Sequence, residues 1–139
     1  MKEDDKMGVI SKNENQLNLY YYPEHKLAKE ALAYAESSDA KLNAVDISKT
    51  KVTGTQWVEL AEMLGVKVTD FLEKDHPTFK EKFDKDAEVG TEDAIKILQN
   101  NPELLVFPIA TRGEKAICVK MMTDILKLTK MDTGYNKNE

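Results

Sequence analysis

The strongest constraint on the fold of this 139-residue chain lies in residues 17–47. Residues 17–22 are rich in aliphatic and aromatic side chains and stop at Pro23, which reads as a buried strand. From His25 to Ser37, the apolar residues Leu27, Ala31, Leu32, Tyr34 and Ala35 follow helical spacing. Leu42-Asn43-Ala44-Val45-Asp46-Ile47 then alternates apolar and polar, as a half-buried strand does. A strand, a helix and a strand with short connections form a βαβ unit, so the two strands should run parallel.

A helical block follows. Thr53-Gly54-Thr55-Gln56 has capping-box spacing and opens a helix through Trp57, Leu60, Ala61 and Leu64, with Gly65 as its stop. Thr69 is placed to cap a second helix carrying Phe71 and Leu72, which His76-Pro77 breaks. Phe79 and Phe83 suggest a third short helix. Thr91, Glu92 and Asp93 open a fourth, with acidic residues suited to the helix dipole. Asn101-Pro102 restarts a turn. Residues 106–111 and 115–119 then read as strands joined by a tight turn at Arg112-Gly113-Glu114, a hairpin. Thr123 is placed to cap a last helix through Ile125, Leu126 and Leu128.

The order is βαβ, a helical insert, then ββα: an α/β fold with a four-stranded mixed sheet and helices on both faces. The expected organisation is a flexible arm over 1–16, one domain over 17–131 with its helical insert at about 53–105, and a flexible tail over 132–139.

Composition narrows the function classes. A formal charge of -5 argues against a nucleic-acid partner, which usually demands a basic face. Nothing approaches the roughly 20 apolar residues of a membrane span, so no membrane partner is expected. The start, Met1-Lys2-Glu3-Asp4-Asp5-Lys6, has no apolar core and does not read as a secretory signal. A single cysteine, Cys118, cannot form an internal disulfide. A cytoplasmic monomer is the expectation.

Three segments resemble the glutaredoxin-linked arsenate reductase family, which includes the Spx-type transcription regulators. Tyr20-Tyr21-Tyr22-Pro23-Glu24-His25 falls on that family's active-site turn, usually Tyr-His-Asn-Pro-x-Cys. Residues 46–53, Asp-Ile-Ser-Lys-Thr-Lys-Val-Thr, resemble its Asp-Tyr-x-Lys-Thr-Pro-Pro-Thr link. Residues 101–109, Asn-Pro-Glu-Leu-Leu-Val-Phe-Pro-Ile, resemble its Asn-Pro-x-Leu-Leu-x-Arg-Pro-Ile. The resemblance implies a thioredoxin-like fold, with Pro108 as a cis-proline facing the active-site turn.

The same alignment removes the chemistry. The nucleophilic cysteine falls on His25, and the histidine just upstream falls on Tyr21. The oxyanion-binding arginines fall on Glu73, Phe107 and Val119, and the Spx-type Cys-x-x-Cys would occupy His25 and Ala28. No catalytic residue is expected. A metal site is not expected either, because His25 has only His76 as a histidine companion and three or four ligands are needed. Cys118, between Ile117 and Val119 on a strand, reads as a core thiol.

What survives is a binding surface: Tyr21, Tyr22, His25, Phe107 and Pro108. The residue before such a proline exposes backbone groups that can pair with an extended peptide. Glutathione has the same chemistry, yet no cofactor is expected. The leading function is therefore a non-catalytic module that holds a protein or peptide at the cis-proline groove. The alternatives are a thiol oxidoreductase using Cys118, or other chemistry at His25, and an Spx-like regulator acting by protein contact.

Overall fold

A computed structural model of the chain describes residues 10, 13–38, 40–83 and 88–129. Strands β1 (Gln16–Tyr21), β2 (Lys41–Asp46), β3 (Ile109–Arg112) and β4 (Lys115–Cys118) form one sheet in the order β2-β1-β3-β4. β1 and β2 pair in parallel; β1–β3 and β3–β4 are antiparallel. The expected βαβ unit and hairpin are both present.

The alternation of side chains along β1 splits the core in two. Leu17 and Leu19 face Ala31 and Ala35 of helix α1 (Lys26–Glu36), together with Ile125 and Leu128. Tyr20 faces the opposite layer, with Trp57 and Leu60 of α2 (Gly54–Leu64) and with Phe71, Phe79 and Leu104 of the insert. The insert continues through a 3-10 turn at Val68–Phe71, α3 (Pro77–Lys82), α4 (Thr91–Asn100) and a 3-10 turn at Pro102–Leu104. The last helix, α5 (Leu126–Thr129), follows a 3-10 turn at Met122–Ile125. Helices thus cover both faces of the sheet.

Local signals set several boundaries as expected. The Thr53 hydroxyl accepts the Gln56 N–H at 3.1 Å, and the Gln56 side chain accepts the Thr53 N–H at 3.0 Å. Gly65 ends α2 with φ 71°, and Gly113 turns the hairpin with φ 60°, both in the left-handed region that favours glycine. Other details differ. β3 begins at Ile109 rather than at 106, because the Val106 N–H is taken by the Phe71 carbonyl at 2.8 Å. Leu72 and Leu105 form an isolated bridge within the otherwise strand-free insert described here. Neither Thr69 nor Thr123 is a cap. Asp70 accepts the Lys67 N–H, and Asp124 accepts those of Lys120 and Met121. Partial burial opposes charge on Asp124, but these amides and Lys127 outweigh it and lower its pKa.

Of the expected N-terminal arm, residues 1–9 and 11–12 lie outside the described residues, as does the expected tail, 132–139. Ile10 is in the core at 2% exposure and donates its N–H to Glu59 Oε1 at 3.0 Å. Gln16 already belongs to β1.

Burial of Tyr20, reinforced by the charge of Glu59, pushes its phenol up to about 12. An unfolded tyrosine titrates near ~10, so between these values the native state holds a proton that the unfolded chain has lost. The stabilisation is complete below about pH 10 and disappears as pH rises toward about 12, a loss of roughly 2–3 kcal/mol. Tyr20→Phe should flatten that part of the profile in urea unfolding between those pH values. An unchanged slope would show that the phenol does not titrate as its burial demands.

Candidate functional site

Because Tyr20 pairs with Ile109, the chain leaving β1 and the chain entering β3 meet at one end of the sheet. Tyr21 and Tyr22 therefore share that end with Phe107 and Pro108. α1 begins there as well. His25 is its N-cap: the backbone is extended, its N–H bonds the Tyr22 carbonyl at 3.2 Å, and its carbonyl accepts the Lys29 N–H at 3.1 Å. The imidazole makes no capping bond. It stands edge-on to Tyr22, with ring centroids 5.0 Å apart and planes at 63°.

The Phe107–Pro108 bond is trans, since no cis peptide bond occurs among the described residues, and this corrects the expected cis-proline. The trans form is the lower in energy even before proline, by about 0.5–1 kcal/mol. The segment is pinned on either side: the Val119 N–H donates to the Pro108 carbonyl at 2.8 Å, and Val106 is held by Phe71. Between these pins Phe107 is half-buried. Its own N–H and C=O bond no other described residue. The Lys120 ammonium lies 5.7 Å from its ring centroid, within cation–π range.

The three positions aligned with oxyanion-binding arginines carry no cation. Phe107 is an aromatic floor, Val119 is wholly buried with the α1 layer, and Glu73 is fixed to the insert by its N–H on the Leu104 carbonyl at 2.8 Å. The chain's one arginine, Arg112, is also committed elsewhere. It is 4% exposed and donates through Nε to the Glu14 carbonyl at 2.7 Å and through Nη1 to the Leu128 carbonyl at 3.2 Å.

The electrostatics at this sheet end are negative. The Tyr22 phenol is raised by burial and by Glu103, Glu24 and Asp46; that of Tyr21 is raised by burial, Asp46 and Glu36. Carboxylates that hold a phenol protonated also repel an arriving dianion. Lys120 is the cation fixed at Phe107; Lys26 and Lys29 are exposed on α1.

Cys118 is not the core thiol expected from its strand position. It is half-buried and lines a shallow cleft of about 330 Å³ with Leu64, Val66, Lys120, Asp124 and Lys127. Neither His25 nor Pro108 lines that cleft. Ile117 lines the same cleft; β4 is an edge strand, and the described residues leave Cys118 partly open. Burial raises the Cys118 thiol, and Lys120 only partly offsets this. His76 uses Nδ1 to accept the Thr78 N–H at 3.0 Å as the cap of α3. Among the described residues no three His, Cys, Asp or Glu side chains gather as a metal site requires. No helix of these residues is long and apolar enough to cross a membrane.

The structure places Tyr21, Tyr22, His25, Phe107 and Pro108, the residues singled out in the sequence, at one end of the sheet. Sequence reasoning missed Lys120 over Phe107 and Glu103 near Tyr22. The only available signal for Lys120 was its place immediately after the last strand.

The fold is a thioredoxin-like mixed sheet with a helical insert, the architecture shared with solved arsenate reductases. The arsenate reductase of Vibrio cholerae superposes with a TM-score of 0.71 at 18% identity, covering 81% of this chain and 97% of that one. A Yersinia pestis protein assigned as an arsenate reductase gives 0.71 at 20%, covering 80% and 98%. An ArsC family related protein of Bacteroides fragilis gives 0.64 at 16%, covering 81% and 98%. At such identities the likeness establishes the shared fold. No known family profile and no curated protein matches the chain.

Proposed function

We propose that this chain is a non-catalytic binding module: an arsenate-reductase-like fold that holds a protein or peptide rather than reducing an oxyanion. The supporting observation is the sheet end itself. Where a thiolate would stand, the His25 ring packs on Tyr22, in a field of carboxylates and without an arginine. With the Phe107–Pro108 bond trans, the proposed surface is not the cis-proline groove that the resemblance implies. Its basis is the half-buried Phe107, whose backbone N–H and C=O are unengaged among the described residues, flanked by Tyr21, Tyr22 and His25. Each backbone hydrogen bond to an extended segment is worth about 0.5–1.5 kcal/mol net. Burial of the Phe107 ring adds roughly 25 cal/mol per Å². Reduction through Cys118 has no comparable support, since its thiol is raised and its cleft excludes His25.

Two measurements test this. With arsenate, glutathione and glutaredoxin, the purified chain should show no turnover above background; turnover lost in Cys118→Ser would move the chemistry to that thiol and end the proposal. In an amide chemical-shift titration with a library of extended peptides, binders should perturb Phe107 and His25 and depend little on salt. Phe107→Ala should weaken them about tenfold, or ~1.4 kcal/mol. A library that leaves both residues silent would show that the sheet end is not the working surface.

A further inference from the structure

A second surface has a different chemistry. A groove of about 910 Å³ runs along α2 from Gly54 to Met63, against the N-terminal part of α4, within the size range of ligand sites, about 300–1,000 Å³. None of the five residues of the sheet-end surface lines it. Its floor is apolar: Val58, Met63 and Ile95 are half-buried side chains packed against the core beneath and open to solvent above. Gly54 widens it. A Cβ there would meet Ile95 Cδ1 and Cγ2 at 3.6 Å, ordinary contact, and no left-handed backbone demands glycine at that position.

The rim is uniformly acidic. Glu62, Glu92 and Glu114 are exposed at its edges, and none of their carboxylates forms an ion pair or hydrogen bond with another described residue. Glu59 also lines it and accepts the Ile10 N–H. No lysine, arginine or histidine is among the lining residues.

We infer that this groove docks a cationic amphipathic helix of a partner protein. The walls are two helices, so a third helix can lay an apolar stripe between them, with residues at i, i+3 and i+4 over Val58, Met63 and Ile95. Basic residues flanking that stripe meet Glu62 and Glu92 on opposite walls and Glu114 at the end. The carboxylates guide approach and exclude acidic competitors; the apolar floor supplies the contact area. An acidic or neutral helix would bring no countercharge to these carboxylates, and a free anion would meet only like charge.

The probe is a synthetic helix of roughly 15 residues, about four turns, with a leucine stripe flanked by lysines, compared with a twin carrying glutamate for every lysine. Amide chemical-shift titration of the full chain should place the lysine peptide at Val58, Met63 and Ile95, with affinity falling as salt rises. The glutamate twin should not bind. Glu62→Lys with Glu92→Lys should weaken the lysine peptide at least about tenfold. Gly54→Met, which fills the floor without changing charge, should abolish binding; circular dichroism checks that both variants fold. Equal binding of the two peptides would reduce the groove to generic apolar adhesion and overturn the inference. Shifts confined to Phe107 and His25 would overturn it too. So would binding that appears only after residues 1–9 are removed, since the groove would then be closed in the complete chain.

Discussion

His25→Cys, made in a Cys118→Ser background, should give a thiol that reacts with iodoacetamide at pH 7 roughly 10–100 times faster than Cys118 does in the unaltered chain. Position 25 is the N-cap of α1, where backbone amides stabilise a thiolate, and no acidic residue stands in that helix's first turn. Cys118 is the reverse case, with its thiol raised by burial and Lys120 compensating only in part. Each unit of pKa changes the thiolate fraction about tenfold, although a lower-pKa thiolate is also a weaker nucleophile, which trims the gain. Arsenate turnover with glutathione and glutaredoxin should nevertheless stay at background. The carboxylates of Glu24, Asp46 and Glu103 remain, and no arginine has been supplied. Reactivity equal to that of Cys118 would mean that this helix start no longer activates a thiol. Arsenate turnover would mean that the missing arginines are not what withholds the activity.

The parts of the fold legible in the sequence are those decided by neighbours along the chain. Thr53 and Gln56 are three residues apart and cap each other; Gly113 needs only its own φ to turn the hairpin. The short connections of 17–47 leave β1 and β2 no alternative to parallel pairing. Where an aspartate lies beside a threonine, the sequence does not rank them. At the two expected caps, Thr69-Asp70 and Thr123-Asp124, the carboxylate took the amide. This is the stronger, charge-assisted bond. Contacts between distant segments were hidden. Val106 looked like strand until the Phe71 carbonyl claimed its N–H, and Cys118 looked like core because the exposure of an edge strand depends on what packs over it. At the sheet end, topology and residue identity were readable. The isomer at Phe107–Pro108, the cation over Phe107 and the carboxylates around Tyr22 required three dimensions. The acidic groove had no sequence signature, because its walls come from two helices separated by the irregular middle of the insert.

Arg112→Ala should be the most destabilising single change at a polar position, by about 3–5 kcal/mol. From the end of β3, its guanidinium binds the Glu14 carbonyl ahead of β1 and the Leu128 carbonyl in α5, so one side chain ties the entry of the first strand to the last helix. Each bond from a charged donor contributes about 1.5–3 kcal/mol, and removing the donor strands carbonyls where little water reaches. Relief of the guanidinium's own desolvation offsets part of that loss. Arg112→Lys should recover less than half of it, because a single ammonium on a flexible stem cannot reproduce the planar fork that spans two carbonyls. The urea midpoint measures both variants, and an unchanged midpoint in Arg112→Ala would dissolve the tie. The functional consequence follows from the count. A chain with one arginine, spent on joining the entry of β1 to α5, has none left to receive a dianion. Its stability should therefore respond to Arg112 far more than any binding at Phe107 does, and the two effects separate when the unfolding midpoint and the peptide affinity are measured on the same variant.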